Sequence, residues 1–356
     1  MRAVLFGVVL LTACVPPTST PAPPTPSAPR ETISSAPSAI ASPSPIPTLT
    51  FTVDPSAEWP VVLYEGEGFI VSQRTESSSK ELARPCGPVS RLEARPAGLL
   101  TWCRTSSDFA ELRLISIPDG RVTVLASGVH PSWHADVSPD GRSVAAFRLG
   151  NCVSPAPVCQ TRAVLIDVTS KSERELLPSG YYLGATVGWT SLGLTLFQPE
   201  CAEAGCAGRD KTGTFVWDGS AFKRWADLRF VETSGAWTLL EGLRSFGEEP
   251  RRVIVRGPAG DVTVSSGHAL AIGANGDTLV WRPGSPREQQ GVLMRYAPDG
   301  RVLWQADLVG NVINVIGPDV LLVSSPTSKI EIYDLKRMLR FAPTTPINYV
   351  VAGVAR

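Results

Sequence analysis

From about residue 60 to the C-terminus, apolar and polar positions alternate in short runs. Almost no stretch keeps the spacing of an amphipathic helix. The run Glu111-Leu-Arg-Leu-Ile-Ser-Ile117 leads into Pro118-Asp119-Gly120 and then Arg121-Val-Thr-Val-Leu125. Proline fixes φ at the second position of a turn and glycine accepts positive φ, so this segment predicts a hairpin. The same grammar recurs. Residues 162–168 turn at Ser170-Lys171, 213–217 at Asp218-Gly219, 252–256 at Pro258-Ala259-Gly260, 292–296 at Pro298-Asp299-Gly300, and 329–333 near Asp334. Successive hairpins start roughly 51, 51, 39, 40 and 37 residues apart. A second pair of short strands lies between them, as in 133–137 and 143–147 around Pro139-Asp140-Gly141. Others are 184–189 with 192–197, and 268–273 with 278–281 around Asn275-Gly276.

Four strands at this period predict the blades of a β-propeller, an all-β fold. The stretch Trp133-His-Ala-Asp-Val-Ser-Pro-Asp-Gly-Arg-Ser-Val-Ala-Ala-Phe147 resembles the repeat of TolB-like, WD-like β-propellers, and Arg301-Val-Leu-Trp304 after Pro298-Asp299-Gly300 echoes it. The resemblance implies a propeller over roughly 300 residues and implies no activity. Six blades of four strands can be written between about 88 and 345. A strand at 348–353 and two more at 61–64 and 69–72 are then left at the two ends. Joined as a composite seventh blade, they close the ring and hide both sheet edges. Six blades with a separate N-terminal hairpin is the alternative; a pair of β-sandwiches explains the period less well.

The N-terminus follows a different pattern. Arg2, the apolar stretch Ala3 to Leu11 and small residues before a cut site describe a secretory signal. The apolar stretch is about half of what spans a bilayer. Leu11-Thr12-Ala13-Cys14 resembles the bacterial lipobox, and the resemblance implies a diacylated Cys14 as the first residue of the mature chain. Acyl chains bury about 0.8 kcal/mol per methylene, so two or three hold a protein on a membrane. Val15, where inner-membrane retention would call for aspartate, points to an outer-membrane leaflet if the organism has one. Residues 15–47 hold eleven prolines, eleven Ser or Thr and only Arg30 and Glu31 as charges. Such a segment buries too little to fold and favours extended polyproline geometry. At about 3.1 Å per residue it reaches on the order of 100 Å. The chain thus divides into a signal segment at 1–13, an acylated cysteine and disordered tether at 14–50, and a propeller domain at 51–356. It is expected to be exported and lipid-anchored, facing the periplasm or the cell exterior.

Seven cysteines are odd for an exported protein until Cys14 is set aside. The other six fall into close pairs, Cys86 with Cys103, Cys152 with Cys159 and Cys201 with Cys206, and disulfides in that pairing are expected. Six cysteines allow 15 connectivities, so the pairing rests on proximity alone.

In a four-stranded blade, the loops from second to third strand and from blade to blade emerge on one face. The segments around Cys152–Cys159 and Cys201–Cys206 fall there, with 245–250 and 283–290 from the next two blades. They carry Glu200, Glu203, Arg209, Asp210, Glu248, Glu249, Arg251, Arg287 and Glu288. Long loops on one face of a rigid scaffold are the candidate binding face.

Composition narrows the chemistry. Lys plus Arg and Asp plus Glu are 33 each, which gives no support for a nucleic-acid partner. With 31 glycines and 32 prolines the chain is turn-rich, unlike a helical bundle. The Asp-Gly pairs lack the alternating carboxylates of a calcium loop and read as turns. His130 and His134 are separated by Pro131, which argues against a shared helix face for zinc. No nucleophile elbow, phosphate loop or dinucleotide fingerprint occurs. No catalytic residue, metal or cofactor is therefore assigned. The expected function is that of a monomeric, membrane-tethered scaffold binding a protein or glycan in the cell envelope. The alternative is an envelope polysaccharide hydrolase or lyase, drawing on Glu248, Glu249, Asp136 or Glu65 in the central channel.

Overall fold

The computed structural model describes residues 45–355, apart from 107–108, 130–134, 154–157, 181, 183–184, 200–211, 243–250, 285–289, 328, 344–346 and 348–350; at 149–153 and 158–159 it describes the backbone alone. The described chain folds as seven four-stranded antiparallel blades, a β-propeller, and no helix occurs among the described residues.

Blade 1 is composite. The C-terminal strand Val351–Ala355 pairs with Val61–Glu67, followed by Ile70–Arg74 and Ser79–Ala83. The ring is closed as the leftover terminal strands suggested, and Ser79–Ala83, too polar to stand out in the sequence, completes the blade. Blade 2 runs Val89–Arg95, Gly98–Arg104, Ala110–Ile115, Val122–Val129. Blade 3 is Ala135–Val137, Ser143–Val153, Val158–Asp167, Glu173–Gly180. Blade 4 is Thr186–Thr190, Gly193–Gln198, Gly213–Trp217, Phe222–Ala226. Blade 5 is Arg229–Ser234, Trp237–Glu241, Arg252–Gly257, Gly260–Ser266. Blade 6 is His268–Ile272, Thr278–Pro283, Gln290–Tyr296, Val302–Val309. Blade 7 is Asn311–Ile316, Val320–Ser324, Ile330–Asp334, Leu339–Phe341. The first strand of each blade is the inner one, and inner strands pack against each other at the seams 1–2, 3–4, 5–6 and 7–1.

One element was not foreseen. Thr48–Leu49 adds in parallel to the outer strand of blade 6, and Thr52 bridges Leu339 of blade 7. This strap lies across the boundary that composition drew at residue 50.

Alternation along the strands sends apolar side chains into the seams between blades. Leu100, Trp102 and Leu112 meet Val137, Val144 and Val164 between blades 2 and 3. Phe147 and Ala163 meet Val187 and Leu196 between blades 3 and 4. Comparable clusters fill the seams 1–2, 5–6, 6–7 and 7–1. Among the described residues, the seam between blades 4 and 5 has no such cluster. Rings and charges meet there instead: Trp225 with Phe230, Arg256 over Trp225 and Arg229 over Phe197.

The Asp-Gly turns close as the sequence predicts. Gly120 has φ of 67°, and a Cβ there would stand 2.1 Å from the Leu82 carbonyl oxygen, so only glycine fits. Asp140 accepts hydrogen bonds from the Ser138 hydroxyl at 2.6 Å and the Arg142 N–H at 3.0 Å. The Ala221 and Ser220 N–H groups hold the Asp218 carboxyl down to about 2. These carboxylates are spent on their own turns.

Candidate functional site

Strand direction alternates within a blade, so the loops from second to third strand and from blade to blade share one face of the disc. On that face, where the second strand of blade 5 ends, the described residues gather around Glu241. It ends the second strand of blade 5 directly after Leu239 and Leu240, and it is 1% exposed. A carboxylate so deep needs partners. Arg229 Nη1 donates to Glu241 Oε2 at 3.0 Å and Arg251 Nη1 to the same oxygen at 2.9 Å. His268 Nδ1 lies 3.8 Å from the other oxygen, and its ring stacks on Trp281 at 5.4 Å. Next to them Arg282 donates to the Ser266 carbonyl and the Ser265 hydroxyl, both at 2.9 Å, which joins blade 6 to blade 5.

Of the nine residues predicted for the binding face, Arg251 is described, and it stands in this cluster. Glu200, Glu203, Arg209, Asp210, Glu248, Glu249, Arg287 and Glu288 lie outside the described residues, as do Cys14, Cys201, Cys206, His130 and His134. Cys86 and Cys103 form a disulfide with Cα atoms 5.6 Å apart. Cys152 and Cys159 face each other in the ladder of blade 3, where the strands run on to Val153 and resume at Val158. Glu241, Arg229 and His268 escaped sequence reasoning. The signal was there in a lone acid closing an apolar strand.

The opposite face is tied by polar contacts at seam after seam. Arg95 Nε donates to Asp136 Oδ1 at 2.6 Å across blades 2 and 3, and Glu93 pairs with both Arg91 and Arg95. Burial works against the Arg95 charge, yet the Asp136 and Glu93 carboxylates hold its guanidinium above the ordinary value. Asp136 also accepts the N–H of Val137 at 2.9 Å and of Trp189, in blade 4, at 2.9 Å. Thr233 donates to Ser191 across blades 5 and 4. Glu232 accepts the Ile272 N–H of blade 6 at 3.4 Å, and burial pushes its carboxyl up. Arg295 pairs with Asp277 and, across blades 6 and 7, with Asp319 at 2.9 Å. Glu65 of blade 1 pairs with Arg74 at 2.9 Å.

Fold and site together define a closed seven-bladed propeller with one face carrying long loops and the other bound by ion pairs. No protein-family model matches the sequence, and no curated protein is similar to it. Solved structures are similar in fold. The acylaminoacyl peptidase of Pyrococcus horikoshii is 11% identical with a TM-score of 0.56, over 84% of this chain and 53% of that one. An uncharacterised protein from Listeria monocytogenes is 11% identical with a TM-score of 0.52, over 84% of this chain and 98% of that one. TolB from Acinetobacter baumannii is 15% identical with a TM-score of 0.41, over 72% and 68%. The chain spans about half the length of the peptidases it matches. At such identities the likeness is one of fold. No helix among the described residues is long and apolar enough to cross a membrane.

Proposed function

We propose that this chain is an exported propeller, held to a bacterial membrane by an acylated Cys14, whose loop face binds a protein or glycan partner in the cell envelope without transforming it. The observation that carries this reading is the state of Asp136 and Glu65, the two described members of the four carboxylates on which hydrolysis in the channel would draw. A glycosidase needs two carboxyl groups of opposite protonation facing one bond. Asp136 is committed to Arg95 and two backbone N–H groups, and Glu65 to Arg74. Both are structural ties. The charged residues predicted for the connections of blades 4 to 6 are offered to a ligand on the face where Glu241 and Arg251 stand.

Two experiments test the reading. Chemical cross-linking of the full chain in its native envelope should capture a partner, and changing Glu200, Glu203, Arg287 and Glu288 together to Ala should abolish the capture. Retention by that variant removes the loop face from the account. Turnover of an envelope polysaccharide that disappears in Asp136→Asn or Glu232→Gln would replace the scaffold with the hydrolase. For the anchor, Cys14→Ala should lose a metabolically incorporated fatty acid and leave the membrane fraction.

A further inference from the structure

Arginines at most seams of the ring are matched by carboxylates. Arg91 and Arg95 meet Glu93 and Asp136, and Arg295 meets both Asp277 and Asp319. The cluster on the loop face is built the other way. There one carboxylate serves two arginines, since Arg229 and Arg251 both donate to Glu241 Oε2. Arg282 meets no carboxylate among the described residues, and its N–H groups go to the Ser266 carbonyl and the Ser265 hydroxyl. Gly267 sets Arg282 beside the pair: its N–H donates to the Arg251 carbonyl at 2.7 Å, and a Cβ on it would stand 3.1 Å from Arg282 Cγ. His268 follows directly, with Nδ1 3.8 Å from Glu241 Oε1. Arg229 and Arg282 are exposed. Arg251 Nε is buried and has no acceptor among the described residues.

We propose that Arg229, Arg251, Arg282 and His268 form a subsite for an oxyanion, a carboxylate or phosphate group carried by the partner of the loop face. The proposal rests on the reading of that face as the binding face and adds the chemistry of what is bound. Three guanidinium groups against one carboxylate leave a surplus of positive charge at the loop-face end of blades 5 and 6. In sequence, the adjoining connections add Arg244 and Arg287 against Glu248, Glu249 and Glu288, which lowers that surplus by one charge and does not cancel it. Uncompensated charge beside a buried ion pair is costly, and a buried N–H without an acceptor calls for one. An oxyanion answers both needs, because the planar guanidinium fork matches the paired oxygens of a carboxylate or a phosphate. Exposed Arg229 and Arg282 are what an approaching anion meets first. Glu241, 1% exposed, is too deep to meet it and acts as a positioning residue, holding Nη1 of both Arg229 and Arg251.

The chain holds three histidines, so His268 is a reporter inside the subsite. In the full chain carrying His130→Gln/His134→Gln and labelled histidine, the one remaining imidazole signal is followed by NMR. Inorganic phosphate and, separately, glucuronate are titrated in at constant ionic strength, with chloride as the balancing anion. At least one of them should shift the His268 signal saturably, with half-saturation on the order of millimolar. Saturation by phosphate alone gives the subsite to a phosphate group, and saturation by glucuronate alone gives it to a carboxylate. Arg229→Gln and Arg282→Gln should each weaken that binding about ten-fold, the loss of one charge-assisted contact. A shift that grows linearly with both anions, or equal affinity in the two arginine variants, overturns the proposal. So does saturation that appears only after Glu248→Gln/Glu249→Gln, which would give the arginines to the chain's own loop. Partner capture that is lost in the loop variant but indifferent to Arg229→Gln and Arg282→Gln keeps the binding face and removes the oxyanion subsite. A saturable His268 shift with no captured partner does the reverse.

Discussion

Asp136 owes its place to a missing side chain. It reaches from the inner strand of blade 3 to the Trp189 N–H of blade 4, and Gly188 lies in its path. A Cβ built on Gly188 stands 2.8 Å from Asp136 Oδ2 and 3.3 Å from Asp136 Cβ, and the carboxylate cannot swing away without leaving Arg95. Gly188→Ala should therefore cost about 2 kcal/mol as overpacking, despite the backbone preference for Ala in a strand of about 0.5 to 1 kcal/mol. Asp136→Ala breaks a buried ion pair and leaves the Trp189 N–H without its acceptor. That loss is about 3 kcal/mol, at the low end for buried pairs because Arg95 keeps Glu93.

Summed independently, the two changes cost about 5 kcal/mol. The structure requires a different answer. With the carboxylate gone, the methyl group introduced at position 188 enters the space it vacated, and only the 3.3 Å contact with the remaining Cβ resists. The double variant should cost about 3 kcal/mol, close to Asp136→Ala alone, which gives an interaction of about 2 kcal/mol. Urea unfolding of the four proteins, with slopes compared before midpoints, measures it. Additivity within about 0.5 kcal/mol would mean that Gly188 does not hold the Asp136 carboxylate in place, and the account of this seam would fall.

Other outcomes follow from the same contacts. Replacing Cys86 and Cys103 together by Ala opens a crosslink spanning 17 residues and should cost about 3 kcal/mol, read as a fall in Tm of roughly 6 °C by calorimetry; an unchanged Tm would contradict it. Burial raises the folded-state pKa of Glu232, so its ionisation opposes folding as pH rises above the unfolded-state value of about 4.3. Glu232→Gln should accordingly be more stable than the natural chain at pH 7, with the gap closing below about pH 4; a gap that persists at low pH points to another cause. Glu241→Leu should destabilise by about 3 kcal/mol and Arg229→Ala by less than about 1, since Arg229 is half-exposed; equal costs in denaturant melts would refute the ranking. In native-state hydrogen exchange, amides flanking the seam of blades 4 and 5 should open at lower free energy than those at the terminal closure; the reverse order would show that apolar packing does not set seam strength.

The fold was legible because its signals are local and repeated. A Pro-Asp-Gly turn between alternating runs states its hairpin without help from the rest of the chain. The composite blade was legible by arithmetic, since strands at both ends were left over. What escaped depends on contacts between distant residues. Ser79–Ala83 reads as a polar loop, and becomes a strand only because Ile70–Arg74 offers it an edge. Thr48–Leu49 sits at the end of a proline-rich run, and its pairing to residues 305–306 is a long-range event that no local propensity encodes. The same holds for the cluster around Glu241. Sequence placed Arg251 near the loops by spacing, but only the fold brings Glu241, Arg229 and His268 to it.

The seams show how the two halves of the ring divide their work. Where the chain's ends meet, the closure is built conservatively. Val61 and Leu63 pack on Leu322, Ile330 and Ile332, and Trp59 adds its ring. A propeller closed by strands from both termini needs this, because fraying there would release the innermost strand of a blade. The seam of blades 4 and 5 lies elsewhere in the ring and carries no such duty. It is joined by cation–ring contacts of 5.4 and 5.8 Å and by the hydrogen bond from Thr233 to Ser191. These are directional contacts between half-exposed groups, each weaker than a packed apolar cluster. The loops bearing most of the predicted binding residues spring from blades 4, 5 and 6, so two of the three flank this seam. A partner seated on them would span the least packed joint of the scaffold, while on the opposite face Asp136 accepting the Trp189 backbone N–H and Glu232 accepting the Ile272 N–H tie the joints on either side of it.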